Sequence, residues 1–127
     1  MEKRLGTLTL GVRDLPRARA FYEQGLGWTR DGGESDIAFY QLNGIVLRLY
    51  EWPKLATDAG VDEAGSGLRG VTLAYCVRER HELEQVLAEA EAAGGKILVQ
   101  ARDTFWGGRD GYFSDPDGLT NKVTNAI

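Results

Sequence analysis

Apolar residues follow two different periods along this chain, and the same order of periods occurs twice. Leu8, Leu10 and Val12 alternate with Thr7, Thr9 and Gly11, the period of a strand with one buried face. Ala18, Phe21 and Tyr22 then follow helical spacing, with Pro16 suited to a first helical turn and Gly25 to a stop. The spacing predicts a helix over 16–24. In the second half Val71, Leu73, Tyr75 and Val77 alternate again. Leu83, Val86, Leu87 and Ala90 then fall at i, i+3, i+4 and i+7, predicting a helix over 80–93 that ends at Gly94-Gly95. The segments Thr7–Asp14 and Thr72–Glu79 share Thr-Leu, Val-Arg and a following acid, so the chain reads as a tandem repeat.

Three strand-like runs follow each helix. In the first copy they are 27–30, 36–42 and 45–51, with Asn43-Gly44 as a hairpin turn between the last two. In the second copy they are 96–101, 110–114 and 119–125, with Asp115-Pro116-Asp117-Gly118 as the turn. That turn is not a calcium loop, which would need a glutamate where Thr124 stands. Each module therefore reads β-α-β-β-β, an α+β architecture. Module one spans 1–52, a Gly-, Ala- and Asp-rich linker spans 53–69, and module two spans 70–127. Alternation puts Leu8, Leu10 and Val12 under the first helix and leaves the other sheet face free. The same reasoning places Val71, Leu73, Tyr75 and Val77 under the second helix, with Thr72, Ala74 and Cys76 opposite. Cys76 is expected as a small buried thiol, and His81 as a surface residue.

Composition narrows the function classes. With 127 residues, 43% of them hydrophobic, the chain suits one compact domain or two fused modules. A net charge of −4 argues against a nucleic-acid partner and permits cationic small molecules. No apolar run approaches the ~20 residues of a membrane span, and Met1-Glu2-Lys3-Arg4 is not followed by a signal-type apolar stretch. A single cysteine allows no internal disulfide. A cytoplasmic location is expected.

The order and spacing of Leu8-Thr9-Leu10-Gly11-Val12-Arg13-Asp14-Leu15, Ala20-Phe21-Tyr22 and Leu26-Gly27-Trp28, with Gly111–Gly118 in the second copy, resembles the vicinal-oxygen-chelate superfamily. That group holds glyoxalases, bleomycin-resistance proteins, fosfomycin-resistance enzymes and extradiol dioxygenases. The resemblance covers nearly the whole chain. It implies two modules whose curved mixed sheets surround a cavity. It also implies one metal ligand, His or Glu and sometimes Gln, near the middle of the first and last strand of each module. Carried over by motif, those positions are Thr7, Leu47, Thr72 and Lys122. Leu47 has no lone pair and Lys122 brings a positive charge, so the set cannot replace imidazoles and carboxylates. The expectation is that the chain uses no metal or other cofactor and has no metal-dependent activity.

With the ligands gone, the expected cavity is described by its lining. Ile45, Leu47 and Leu49 are expected to face it, among aromatic residues drawn from Trp28, Phe39, Tyr40, Trp52, Trp106, Tyr112 and Phe113. Phe39 and Tyr40 point opposite ways, and the hairpin count favours Phe39 in the cavity. Trp106 sits in a glycine-flanked loop, at the mouth of a site or simply exposed. Trp52 either joins the site or packs at a dimer interface. Lys122 is a solvated lysine, an ammonium that holds an anionic or carbonyl group beside Thr7 and Thr72, or half of an internal pair with an acid such as Glu51. Arg48 is placed on the helix-covered face between Val46 and Tyr50, and should pair with an acid or reach a rim.

By resemblance to the bleomycin-resistance branch, the chain is expected to be a metal-free homodimer. It would hold a hydrophobic or aromatic small molecule through Thr7, Phe39, Leu47, Thr72, Trp106, Tyr112 and Lys122, with antibiotic or toxin sequestration as a role. The competing expectation is a cofactor-independent isomerase or lyase with Lys122 as its acid–base group.

Overall fold

The computed structural model describes residues 2–59, 61–65, 69 and 71–125. The chain divides into two compact units, Met1–Gly65 and Ser66–Ile127. The first holds strands β1 (Thr7–Val12), β2 (Gly32–Glu34), β3 (Ile37–Gln41) and β4 (Val46–Glu51), with helices α1 (Leu15–Ala20) and α2 (Trp52–Ala59). The second holds β5 (Leu73–Cys76), α3 (Glu82–Ala92), β6 (Lys96–Asp103), β7 (Arg109–Ser114) and β8 (Thr120–Asn125). The sheet orders are β1-β4-β3-β2 and β5-β8-β7-β6, the same permutation twice. In each sheet the first and last strands pair in parallel and the other pairings are antiparallel. The fold is α+β with two mixed four-stranded sheets, as the repeat predicts.

Local chemistry explains the first helix. Asp14 caps it, its carboxylate accepting from the backbone N–H of Arg17, and a proline occupies the first turn. The helix continues as a π-helical turn over Phe21–Gly25, closed by a bond from Leu26 N–H to the Phe21 carbonyl. Its buried face carries Leu15, Ala18, Phe21 and Tyr22 against Leu10, Val12, Ala38, Tyr40, Leu47 and Leu49 of the sheet. The hydroxyl of buried Tyr40 donates to Glu23 at 2.8 Å, and Arg19 donates to the same carboxylate at 2.8 Å. The Arg19 bond holds the Glu23 carboxyl below its usual range, with burial opposing and the Tyr40 bond assisting. Burial, and then the Glu23 carboxylate, push the Tyr40 hydroxyl up.

Several expectations need correction. The run 27–30 forms no strand. The Trp28 N–H bonds to the Tyr22 carbonyl, and the Trp28 ring packs 5.3 Å from Tyr22 and 6.1 Å from Tyr40, so this segment closes the helix side of the core. The residues read as linker begin with α2. Trp52 and Leu55 of that helix would meet a Cβ at Gly11 at 3.1 and 3.3 Å, so glycine at that position lets the helix lie against β1. Trp52 is held inside the unit. Its indole N–H donates to the Glu63 carbonyl and its ring carries the Arg13 guanidinium 4.2 Å from the centroid.

In the second unit, Leu83, Leu87 and Ala90 of α3 are buried with Val123 and Phe113. A Cβ at Gly111 would lie 2.7 Å from Leu87 Cδ1, which identifies the helix-covered face. Helix α3 packs on β6, β7 and β8. Strand β5 lies at the sheet edge, and Tyr75 and Val71 are exposed there rather than covered. Cys76 is exposed too, not buried. The polar last strand has a structural explanation. The Asn125 amide donates to the carbonyls of Val77 and Arg78, Asn121 donates to the Leu119 carbonyl, and Thr124 donates to the Arg109 carbonyl. These bonds tie the end of β8 to its neighbours. The Asp115 carboxylate accepts from the N–H groups of Asp117 and Leu119, building the hairpin turn with Gly118 at φ 86°.

Because Glu23 has a folded-state pKa below its unfolded value, its bonds stabilise the fold above the ordinary glutamate range near ~4.3. That contribution is lost as pH falls through the folded value. Glu23→Gln should therefore flatten the acid limb of stability against pH, measured by urea unfolding between about pH 7 and pH 3. An unchanged acid limb would show that the Arg19–Glu23–Tyr40 cluster carries none of it.

Candidate functional site

Strand pairing decides which side chains share the free face of each sheet, since paired residues project to the same side. In the first unit Thr9 pairs with Arg48 and Arg48 with Phe39, while Leu8 pairs with Leu47 and Leu47 with Tyr40. Leu47, Leu49 and Tyr40 are buried under the helix. Leu47 therefore lines no free face, and neither does Leu49. The expected alternation of β4 is correct, but its two faces were exchanged. Arg48 stands on the free face with Thr9 and Phe39, donating from Nε to Thr9 Oγ1 at 2.9 Å, its guanidinium 6.0 Å from the Phe39 centroid. Burying two leucines under α1 and leaving the guanidinium on the opposite, half-exposed face avoids an expensive desolvation. Thr7 begins β1 on this same face and is exposed.

In the second unit the corresponding rung is Ala74–Lys122–Tyr112 across β5, β8 and β7. Thr72 lies one residue before β5 and is exposed, so Ala74, not Thr72, is the neighbour of Lys122. The Lys122 ammonium is 3.6 Å from Asp110 Oδ2, and its side chain is 26% exposed. Asp110 is buried at 4% exposure and also accepts from Arg102 Nε at 2.9 Å. Lys122 thus has an internal acid, but it is Asp110. Glu51 pairs with Lys54 instead. The same ammonium lies 5.8 Å from the ring centroids of both Tyr112 and Trp106, within cation–π range.

Trp106 reaches this position because of its loop. Thr104 closes the turn, its N–H bonding to the Gly108 carbonyl and its hydroxyl accepting from the Gly108 N–H. The indole folds back over Gly108, where a Cβ would fall 1.7 Å from Trp106 Cζ3. The ring stays 41% exposed while adjacent Phe105 is fully exposed. The structure brings Lys122, Tyr112 and Trp106 together and adds Asp110 and Arg102, which sequence reasoning missed. Alternation carried a signal for Asp110: it lies two residues before Tyr112 in the same strand, hence on the same face. Trp28, Tyr40 and Phe113 belong to the helix side and leave the site.

A sequence profile of the Glyoxalase/Bleomycin resistance protein/Dioxygenase superfamily matches residues 4–123. The chain belongs to that superfamily. Among solved structures it is similar to a glyoxalase-related enzyme from Fulvimarina pelagi, at 34% identity and a TM-score of 0.91, covering 98% of this chain and 89% of that one. It is also similar to a glyoxalase/bleomycin resistance protein/dioxygenase family enzyme from Burkholderia phytofirmans PsJN (15% identity, TM-score 0.84, 96% and 98% covered). A lactoylglutathione lyase from Agrobacterium tumefaciens matches at 17% identity and a TM-score of 0.74, with 99% and 96% covered. The last two likenesses speak to fold alone. No curated protein matches the chain. No helix among the described residues is long and apolar enough to cross a membrane.

The donor chemistry of the free faces does not fit the divalent metal that the family's metal enzymes hold. A divalent ion needs carboxylate or imidazole lone pairs. The central rung of the first sheet presents Arg48 and that of the second presents Lys122, and the buried acid beside Lys122, Asp110, is engaged by Arg102 and Lys122. Among the described residues no three of His, Cys, Asp and Glu come together as a metal-ligand group.

Gly108→Ala should expel the indole, since the new methyl and Trp106 Cζ3 cannot coexist at 1.7 Å. The expected result is a red-shifted tryptophan emission whose shifted component disappears when Trp106→Phe is added to Gly108→Ala. Stability should change by less than about 1 kcal/mol because the displaced ring is already partly exposed and lies in a loop. An unshifted spectrum would mean that the loop does not hold Trp106 over Lys122.

Proposed function

We propose that this chain is a metal-free small-molecule-binding member of its superfamily, taking an aromatic ligand with an anionic or carbonyl group on the free face of the second sheet. One observation carries the reading. At the motif position where the family's metal enzymes place a ligating residue stands Lys122, its ammonium between the rings of Tyr112 and Trp106. Two rings that already face a fixed ammonium are poor hosts for a second cation. The chemistry therefore favours an aromatic body against Trp106 and Tyr112 with an oxygen handle on Lys122. Buried Asp110 holds the ammonium in place. Such a site suits sequestration of a planar toxin or antibiotic without chemical change, as in bleomycin-resistance-type proteins, but not of a cationic one.

Tryptophan fluorescence titration with planar aromatic carboxylates tests this reading. Saturable quenching is expected, weakened about tenfold or more by Lys122→Met, equivalent to about 1.4 kcal/mol. Zinc or cobalt at equimolar concentration should give no stoichiometric heat by calorimetry and no change in that affinity. Quenching that needs the added metal would overturn the proposal.

A second reading draws on the contact between Lys122 and Asp110, which places a basic and an acidic group side by side. In a cofactor-independent isomerase or lyase Lys122 would move a substrate proton. Turnover of a bound ligand that disappears in Lys122→Met while its affinity persists would favour catalysis over sequestration. The chain is also proposed to be a homodimer, supported by the open edge strand β5 with exposed Tyr75 and Val71. Light scattering at micromolar concentration should return twice the chain mass, and a monomeric mass would refute this.

A further inference from the structure

The two units repeat more than their topology. The rung Thr9–Arg48–Phe39 in the first sheet corresponds strand for strand to Ala74–Lys122–Tyr112 in the second. Each rung places a small residue on the edge strand, a cation on the second strand and an aromatic ring on the third. The two differ in how the cation is balanced. In the second unit Asp110 stands two residues before Tyr112, across from Thr124, and gives Lys122 a carboxylate at 3.6 Å that it shares with Arg102. The corresponding residue in the first unit, two before Phe39 and across from Tyr50, is Ile37. The Arg48 charge therefore has no carboxylate beside it among the described residues. Its protein contacts are the Thr9 hydroxyl at Nε and the Phe39 ring.

We propose that Arg48 is an anion anchor on the face of the first sheet opposite α1, for a small carboxylate with an aromatic or apolar body. The Thr9 bond uses Nε and fixes the plane of the guanidinium. The two terminal nitrogens keep their N–H groups for a ligand, in the fork that matches a carboxylate's two oxygens. Phe39 and Val46 share this face by strand parity, and Tyr50 and Ile37 continue it toward Gly11, where Trp52 and Leu55 of α2 cover the sheet, so an apolar body beside the carboxylate has a ring and an aliphatic group to pack on. A half-buried guanidinium without a counter-charge gains more from an anion than a solvated one does, because less water competes for it. This inference rests on observations in the first unit alone, and it is read out at Arg48 and Phe39 rather than at Trp106.

The probe is benzoate, compared with benzamide and inorganic phosphate, titrated into the whole chain by NMR. The readouts are the Arg48 Nε–Hε signal and the Phe39 ring resonances, distinct from the Trp106 emission that reports on Lys122. Benzoate should shift both readouts saturably, with benzamide at least tenfold weaker. Arg48→Met and Arg48→Gln should each weaken benzoate at least tenfold while remaining folded. Arg48→Lys should recover only part of the affinity, since it restores charge without the fork. Lys96→Met, which removes an exposed positive charge from the start of β6, should leave the titration unchanged. Benzamide binding as tightly as benzoate would overturn the proposal, as would benzoate shifts at Phe39 that survive both Arg48 substitutions. Phosphate binding as tightly as benzoate would overturn the assignment of an apolar body.

Discussion

In both units the first strand lies parallel to the last, and that pairing sets the face on which Arg48 and Lys122 stand. Leu8 beside Leu47 and Leu10 beside Leu49 bury one side of the first sheet under α1. Thr9 beside Arg48 follows necessarily on the other side, because side chains alternate at every residue. The rung Ala74–Lys122 does the same in the second sheet, with Val123 buried beneath α3. A slip of one residue would send Arg48 or Lys122 into the core and two leucines or a valine out of it. The cost of burying those charges makes the register steep. Fold stability and the position of the two cations are therefore one constraint seen from two sides.

That constraint gives the superfamily's scaffold an unusual pair of central residues. Where the family's metal enzymes need electron pairs, this chain offers N–H groups and positive charge. The second unit surrounds its cation with a buried carboxylate and two rings, and the first leaves its cation with a hydroxyl and one ring. The proposed ligand selection by charge and a flat apolar body, rather than by chelation, follows from this difference. In the second unit Gly108, whose missing side chain gives the indole somewhere to lie, lets the Trp106 loop bring its ring to Lys122.

The rest of each sheet supports this arrangement. The Arg19–Glu23–Tyr40 cluster satisfies a buried hydroxyl and ties the π-helical turn to β3. Asn125 and Thr124 tie β8 to the chain beyond β5 and to β7. A strand that is polar on both faces would otherwise be a poor sheet member. Here its amides and hydroxyls take up carbonyls at the sheet end and so fix the strand that carries Lys122.

The sequence by itself determined the tandem β-α-β-β-β order, the two principal helices, both hairpin turns and the superfamily, because each rests on local periodicity or short-range turn chemistry. It also placed Phe39 opposite Tyr40. Tertiary structure alone decided the face of β4, since alternation says which residues share a side but not which side the helix covers. The pairing with β1 answered that, moving Leu47 into the core and Arg48 out of it. It likewise chose Asp110 over Glu51 as the partner of Lys122 and folded Trp106 across Gly108. Those contacts join residues that are neighbours only once strands pair and a loop closes, and no period along the chain records them.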